Sequence, residues 1–243
     1  DEELYPAAQA LLARKALCAG IPFARDGETI QDAAIRLALS GLTGVLPIQG
    51  PPGAGKTYVG ARMIVALAQA GKKVGVTANS HKVINHLLRE TLDAAEELGV
   101  SVACMQKTSE DLEPCPGLDL VDDNDAVLGA LQAGTDAIGG TAWFWAREAA
   151  ENSVDVLFVD EAAQMSLANV LAVSHAAPLI VLLGDPQQLE QPSKATHPEG
   201  SDASALHHVL DAAQTMPPDR GLFLPQTYRL HPRICDFTSE LFY

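Results

Sequence analysis

The chain has 243 residues, enough for one large domain or one domain with part of another, and 47% of them are apolar. That fraction supports a sizeable buried core and excludes global disorder. A net charge of −15, from 16 basic and 31 acidic residues, argues against broad, nonspecific binding of nucleic acid, which calls for a basic face.

The opening stretch, DEELYPAAQALLARKAL, is acidic and lacks the basic start of a signal peptide. With no initiator Met, it reads as a segment excised from a longer chain. Residues 4–17 are expected to be helical. GETIQDAAIRLALSG reads as a capped helix with Ile30, Ala34 and Leu37 on one face and Gly41 as its stop. GVLPIQ is a short strand of the buried type, and TYVGARMIVALAQAG a helix apolar nearly all round, as beneath a covered sheet. Alternation then continues. Strands are expected at KVGVTA, VSVACM, DAIGGT, VDVLFVDEA and PLIVLLGD. Helices are expected at HKVINHLLRETLDAAEELG, near Asp125–Gln132, at AWFWAREAAE and at SLANVLAVSHA. This pattern predicts an α/β fold, a parallel sheet with helices on both faces. Seven acids between Glu110 and Asp125, with no base among them, predict a solvated, mobile loop.

No apolar run approaches the ~18 residues that span a bilayer, so no membrane association is expected. Cys18, Cys104, Cys115 and Cys235 are widely spread and form no C-x-x-C pair, which disfavours a zinc site or a disulfide framework. They read as free thiols of a cytoplasmic protein.

GPPGAGKT, Gly50–Thr57, satisfies G-x-x-x-x-G-K-[ST] between an apolar strand and a buried helix, the context its mechanism requires. Gly50, Gly53 and Gly55 let the backbone curl so that its N–H groups converge on phosphate oxygens. The helix N-terminus adds partial positive charge. Lys56 is expected to reach the β- and γ-phosphates of ATP, and the Thr57 hydroxyl to ligate Mg²⁺. In VLFVDEAAQ, an apolar strand carries Asp160 and Glu161 to the sheet edge, Asp160 toward the metal and Glu161 toward an attacking water. An acid next to the metal-binding acid favours hydrolysis over phosphoryl transfer to a hydroxyl. LIVLLGDPQQLEQP delivers Gln188 to the same edge, where it can sense a γ-phosphate.

Seven segments in order, the Gln of TIQDAAI, then GPPGAGKT, VTANSHK, GGTAW, DEAAQ, GDPQQLEQP and QTYRLHPRICDFTSELFY, resemble superfamily 1 helicases. The branch is that of the nonsense-mediated-decay helicase and the replication nuclease-helicases. The text around GARMIVALAQAGKKVGVTANSHK looks most like bacterial members fused to a RecB-like nuclease. The resemblance runs from Gln31 to Tyr243 and implies a RecA-like P-loop NTPase translocating 5′→3′ on single-stranded nucleic acid, DNA favoured over RNA. Gln31 would read the adenine edge, Tyr228 stack on the base, and Arg229 contact the γ-phosphate. Gln188 would link that phosphate to the nucleic-acid side. Thr77, Asn79, Ser80, His81 and Thr141 would contact the sugar-phosphate backbone. Hydroxyls and amides need no basic patch for that, which softens the objection from charge.

The resemblance divides the chain into an N-terminal helical segment (1–30), a first motor domain (31–221) and the start of a second (222–243). Ala54 stands where relatives usually have Thr, a gripping insertion of the relatives is not evident, and the motifs of the second motor domain are absent. A covalently linked nuclease and second motor domain are the implied partners. Two other readings stay open, a P-loop ATPase switch acting on protein partners and a module that binds nucleotide without turnover. Trp143, Phe144 and Trp145 are expected in the core, with stacking on bases as the competing role. The spacings of His207/His208 and of His81/His86 suit no shared metal.

Overall fold

The computed structural model describes residues 5–15, 17, 21–188 and 203–228. Helix α1 (Pro6–Leu12) and helix α2 (Ile30–Leu39) lead into β1 (Gly44–Gln49), α3 (Lys56–Gln69), β2 (Val74–Thr77) and α4 (His81–Glu97). There follow β3 (Cys104–Lys107), β4 (Leu118–Val121), α5 (Asn124–Ala133), β5 (Ala137–Gly139) and α6 (Ala142–Trp145). The chain continues through β6 (Val156–Val159), α7 (Leu167–Val173), β7 (Leu179–Gly184), α8 (Ala205–Leu210) and β8 (Leu222–Phe223). The strands form one sheet in the order β4-β3-β5-β2-β6-β7-β1-β8, every neighbouring pair parallel. All strand C-termini therefore meet one edge, where open α/β sheets bind ligands.

Side-chain alternation splits the core between the two faces. Leu46 and Ile48 of β1, Val156 and Phe158 of β6, and Val181 and Leu183 of β7 pack beneath α2, α3 and α4. Val45, Leu157, Val159, Ile180 and Leu182 face the other way, beneath α1, α5, α6, α7 and α8. Each such side chain, fully buried, contributes on the order of 1.5–3 kcal/mol. Helices come close to the sheet at Gly60 of α3, where an added Cβ would stand 2.7 Å from Leu183 Cδ1, and at Gly139 of β5, where one would stand 2.4 Å from Ile84 Cγ2 of α4. Pro47 sits inside β1 without costing a ladder bond. Gly44 and Gly50 donate toward β7, while Gln49 O accepts from Leu224 on the opposite flank. By alternation Pro47 also faces that flank, where β8 begins pairing only at Ile48.

Four expectations are corrected. Of the described residues in 4–17, the helical ones are Pro6–Leu12. The third strand starts later than VSVACM suggests, because its partner β5 begins at Ala137, opposite Cys104. The acidic segment is not simply a loop. Its LDLV stretch forms β4, with Leu118 inward and Asp119 outward, while Asp122 pairs with Lys107 (2.7 Å) and Asp123 caps α5. Charges on this edge strand suit its position. AWFWAREAAE is helical for four residues and then tightens into a 3₁₀ turn at Glu148–Ala150. Leu222–Phe223, where the second domain is expected to start, pair with β1 as β8, and Leu224 N–H donates to Gln49 O at 2.8 Å.

Cys104 and Cys115 are free thiols, and burial pushes the Cys104 thiol up to about 12; Cys18 and Cys235 lie outside the described residues. Among the described residues, no helix is long and apolar enough to cross a membrane.

Candidate active site

The loop from β1 to α3 begins as sheet, with Gly50 N–H donating to Gly184 O at 3.1 Å, and then turns through Ala54 N–H to Pro51 O at 3.0 Å. Gly53 and Gly55 take φ of +76° and +83°, a left-handed backbone that other residues adopt only with strain. Gly55 is the N-cap of α3. Ala54, which stands where relatives usually have Thr, is buried in the core and borders the loop's cavity. Lys56 is buried, its Nζ donating to Gly50 O (2.8 Å) and Pro51 O (3.3 Å). Thr57 follows half-buried on the first turn of α3.

Asp160 and Glu161 diverge at the end of β6. Asp160 is buried, its N–H donates to Thr77 O (2.9 Å), and its Oδ1 accepts the Glu161 N–H (2.9 Å). Burial first, and the neighbouring Glu161 second, push its carboxyl up to about 7, against the pull of the Glu161 N–H and Lys56. Glu161 itself has φ +51°. That left-handed kink, locked by Ala162 N–H to Leu183 O (2.8 Å) and Gln164 N–H to Glu161 O (2.8 Å), turns its side chain toward open space while Asp160 stays beneath. Backbone strain of this kind recurs at functional sites.

A cavity of about 1490 Å³ opens over the loop. Gly53, Gly55, Lys56 and Thr57 line it, together with Glu161, Gln188, Gln31 and Tyr228. Residues up to 197 positions apart in the chain thus share one space. Gln188 is held by a residue that sequence reasoning passed over, Asp185, which is buried at the end of β7. Its Oδ2 accepts from Gln188 Nε2 (3.3 Å) and its Oδ1 from Gln187 N–H (3.2 Å). The signal was present in GDPQQ, an acid directly after an apolar strand. Tyr228 is exposed, but its backbone is fixed, the N–H donating to Gly53 O at 3.0 Å beside Thr227 Oγ1 to Pro52 O at 2.9 Å. Also missed were Glu28 and Tyr58; the Tyr58 ring carries the Arg62 guanidinium 3.3 Å from its centroid. Arg229 lies outside the described residues.

The second set gathers around the ends of β2 and β5. Ser80 is exposed and caps α4 by accepting from Val83 N–H (3.3 Å). Asn79 Nδ2 donates to Gln164 O (2.6 Å), joining this loop to the one after Glu161. His81 opens α4, its backbone O accepting from Gln106 Nε2 (2.8 Å), and Thr141 is the half-buried N-cap of α6. Thr77 departs from expectation. It is fully buried, and its Oγ1 meets no hydrogen-bond partner among the described residues. A strand lying on the surface cannot touch that hydroxyl in this conformation, since Thr77 ends an enclosed strand rather than beginning the loop.

Among curated proteins none matches the chain closely in sequence. The nonstructural protein 10 (helicase) of an arterivirus, solved in complex with DNA, is similar in fold. It is 15% identical with a TM-score of 0.52, over 86% of this chain and 42% of that one. The Pif1 helicase from Candida albicans matches at 18% identity and a TM-score of 0.46, over 87% of this chain and 43% of that one. The chain therefore spans less than half the length of either protein. Its fold is that of RecA-like P-loop domains. The family model described as AAA domain matches residues 28–208, well over half of the chain, which therefore belongs to the AAA domain family.

Proposed function

We propose that the chain is the ATP-hydrolysing motor domain of a superfamily 1 helicase or translocase that moves on single-stranded nucleic acid, DNA in preference to RNA. One observation carries the reading. The glycine loop, Glu161, Gln188, Gln31 and Tyr228 border a single cavity at the sheet edge.

The residues present fit a nucleoside triphosphate with Mg²⁺. Left-handed glycines expose a curl of amides, and Lys56 stands across its mouth. Asp160 is a buried acid beside a second acid, a placement that a divalent cation compensates. Bound Mg²⁺–ATP supplies an electrophilic phosphorus and a good leaving group. Lys56 would then neutralise phosphate charge, Thr57 and Asp160 would hold the metal shell, and Glu161 would orient a water and take its proton. Gln188, tethered by Asp185, responds at the phosphate end, while Gln31 and Tyr228 border the base, with Arg229 following. Asn79, Ser80, His81 and Thr141 contact the strand's backbone.

The sequence resemblance extends the reading to a longer protein carrying a second motor domain and a nuclease. Steady-state ATP hydrolysis with and without single-stranded DNA tests the proposal. Stimulation by the strand in a chain containing both motor domains is the expected result. Hydrolysis indifferent to any nucleic acid rejects it.

A further inference from the structure

We propose that Trp143 is a stacking platform for a base of single-stranded nucleic acid. This rests on the nucleic-acid reading above and adds a contact that the polar residues of the strand-end loops do not supply.

The argument starts from three consecutive aromatics, Trp143, Phe144 and Trp145, that the fold treats differently. Trp145 is fully buried and donates from Nε1 to Val76 O at 3.0 Å. Phe144 is buried against it edge-to-face, with centroids 4.9 Å apart and planes at 78°. Two glycines make their seats. An added Cβ at Gly75 would lie 2.9 Å from the Trp145 ring, and one at Gly140 would lie 2.4 Å from the Phe144 ring. With both neighbours locked into the core, the position of Trp143 is set by the fold, and it faces solvent at 89% exposure.

Its surroundings favour a nucleobase over a protein partner. The large hydrophobic side chains exposed among the described residues include none on the loop after β2 and none besides Trp143 on α6. A protein interface draws on a contiguous apolar patch. Here Trp143 stands alone on α6 as an exposed large apolar side chain, with Thr141 two residues before it in the chain and Ser80 on the loop after β2, the strand next to β5. The link between the two strand ends is direct, Gly140 N–H donating to Val76 O at 2.9 Å. Hydroxyl residues on the loops at these two strand ends suit a strand's backbone, and the exposed indole suits one of its bases. Stacking also needs no positive charge, which suits a chain of net charge −15. The position is separate from the nucleotide cavity. In the order β5-β2-β6-β7-β1, four strand spacings of ~4.8 Å place the end of β5 roughly 19 Å from the glycine loop.

The chain contains two tryptophans, Trp143 and Trp145; both emit, but only Trp143 is exposed, so contact quenching of the emission by a base reports largely on Trp143. The experiment uses fluorescein-labelled oligothymidylate for anisotropy, unlabelled oligothymidylate for indole quenching, and an oligomer of abasic sites as the base-free probe. Expected are saturable quenching by oligothymidylate, little quenching by the abasic oligomer, and about tenfold weaker binding for Trp143→Ala. Trp143→Phe should retain most of the affinity, with thermal melting unchanged in both variants. Normal oligothymidylate binding with no change in indole emission, and full affinity in Trp143→Ala, overturns the stacking role and leaves the nucleic-acid reading intact. Quenching that is equal with the abasic oligomer also overturns it. No binding of either oligomer by the wild-type chain overturns both readings.

Discussion

Lys56 has two tasks at once. It is expected to neutralise phosphate charge, and in this structure its ammonium already satisfies the carbonyls of Gly50 and Pro51. Lys56→Ala should therefore abolish ATP turnover and also lower the melting temperature by a few degrees. Losing hydrogen bonds from a charged donor costs about 1.5–3 kcal/mol, and a chain of this size loses roughly 2–4 °C per kcal/mol. Hydrolysis assays and calorimetry on the same preparation check both halves. Glu161→Gln keeps shape and hydrogen bonding but cannot take a proton. It should hold Mg²⁺–ATP normally and slow turnover by ~10²–10⁴-fold, measured by equilibrium binding and steady-state kinetics. Normal turnover in that variant assigns the base elsewhere. Most of these side chains were legible because each follows an apolar strand or sits in a spaced motif. The burial of Thr77 was not, since whether the last polar residue of a strand points into the sheet or out of it depends on where the ladder ends. Asp185 was passed over because its role runs through Gln188 rather than through the cavity.

Among elements, the segment before α2 shows how a single side chain ties irregular chain to a helix. Arg36 donates from Nε to Glu28 Oε1 at 2.6 Å and from Nη2 to Glu28 Oε2 at 2.8 Å, and also to the carbonyls of Phe23 (3.0 Å) and Pro22 (3.3 Å). The guanidinium holds the Glu28 carboxyl at about 2, well below its ordinary 4.5. A carboxylate lowered on folding stabilises the fold above its unfolded value and ceases to do so as pH falls through the folded one. Arg36→Met should therefore melt below the wild type at neutral pH. The gap should narrow as pH falls from about 4.5 to about 2, a trend that melting curves across that window will reveal. A gap independent of pH means that the carbonyl bonds, not the ion pair, carry the effect. Elements whose strands are apolar throughout, such as β1, β6 and β7, could be read directly from sequence. β4 could not, because its charges resemble those of a solvated loop and only its pairing with β3 makes it a strand. β8 is two residues long and exists only because β1 offers an unpaired flank.

For the whole molecule, the described residues hold an eight-stranded sheet and the phosphate loop at its edge. Tyr228 is fixed to Gly53 through the backbone, but its ring is 80% exposed and nothing described closes over it. Motors of this kind gain rate when two domains close on the nucleotide, and a clamp misplaced by ~1 Å can lose ~10²-fold. Residues 1–243 alone should hydrolyse ATP far more slowly than a chain with both motor domains and unwind no duplex. Parallel ATPase and strand-separation assays on the two check this. The kink at Glu161 bears on the same molecule in another way. A left-handed backbone at a residue with a side chain costs about 1–2 kcal/mol, whereas glycine there gives back only ~0.4–1 kcal/mol through the greater freedom of the unfolded chain. Glu161→Gly should thus melt at or above the wild-type temperature while losing turnover. Heat tolerance and catalysis then favour different residues at position 161, and a library enriched only for survival at high temperature would drift toward a robust protein with nothing left to power.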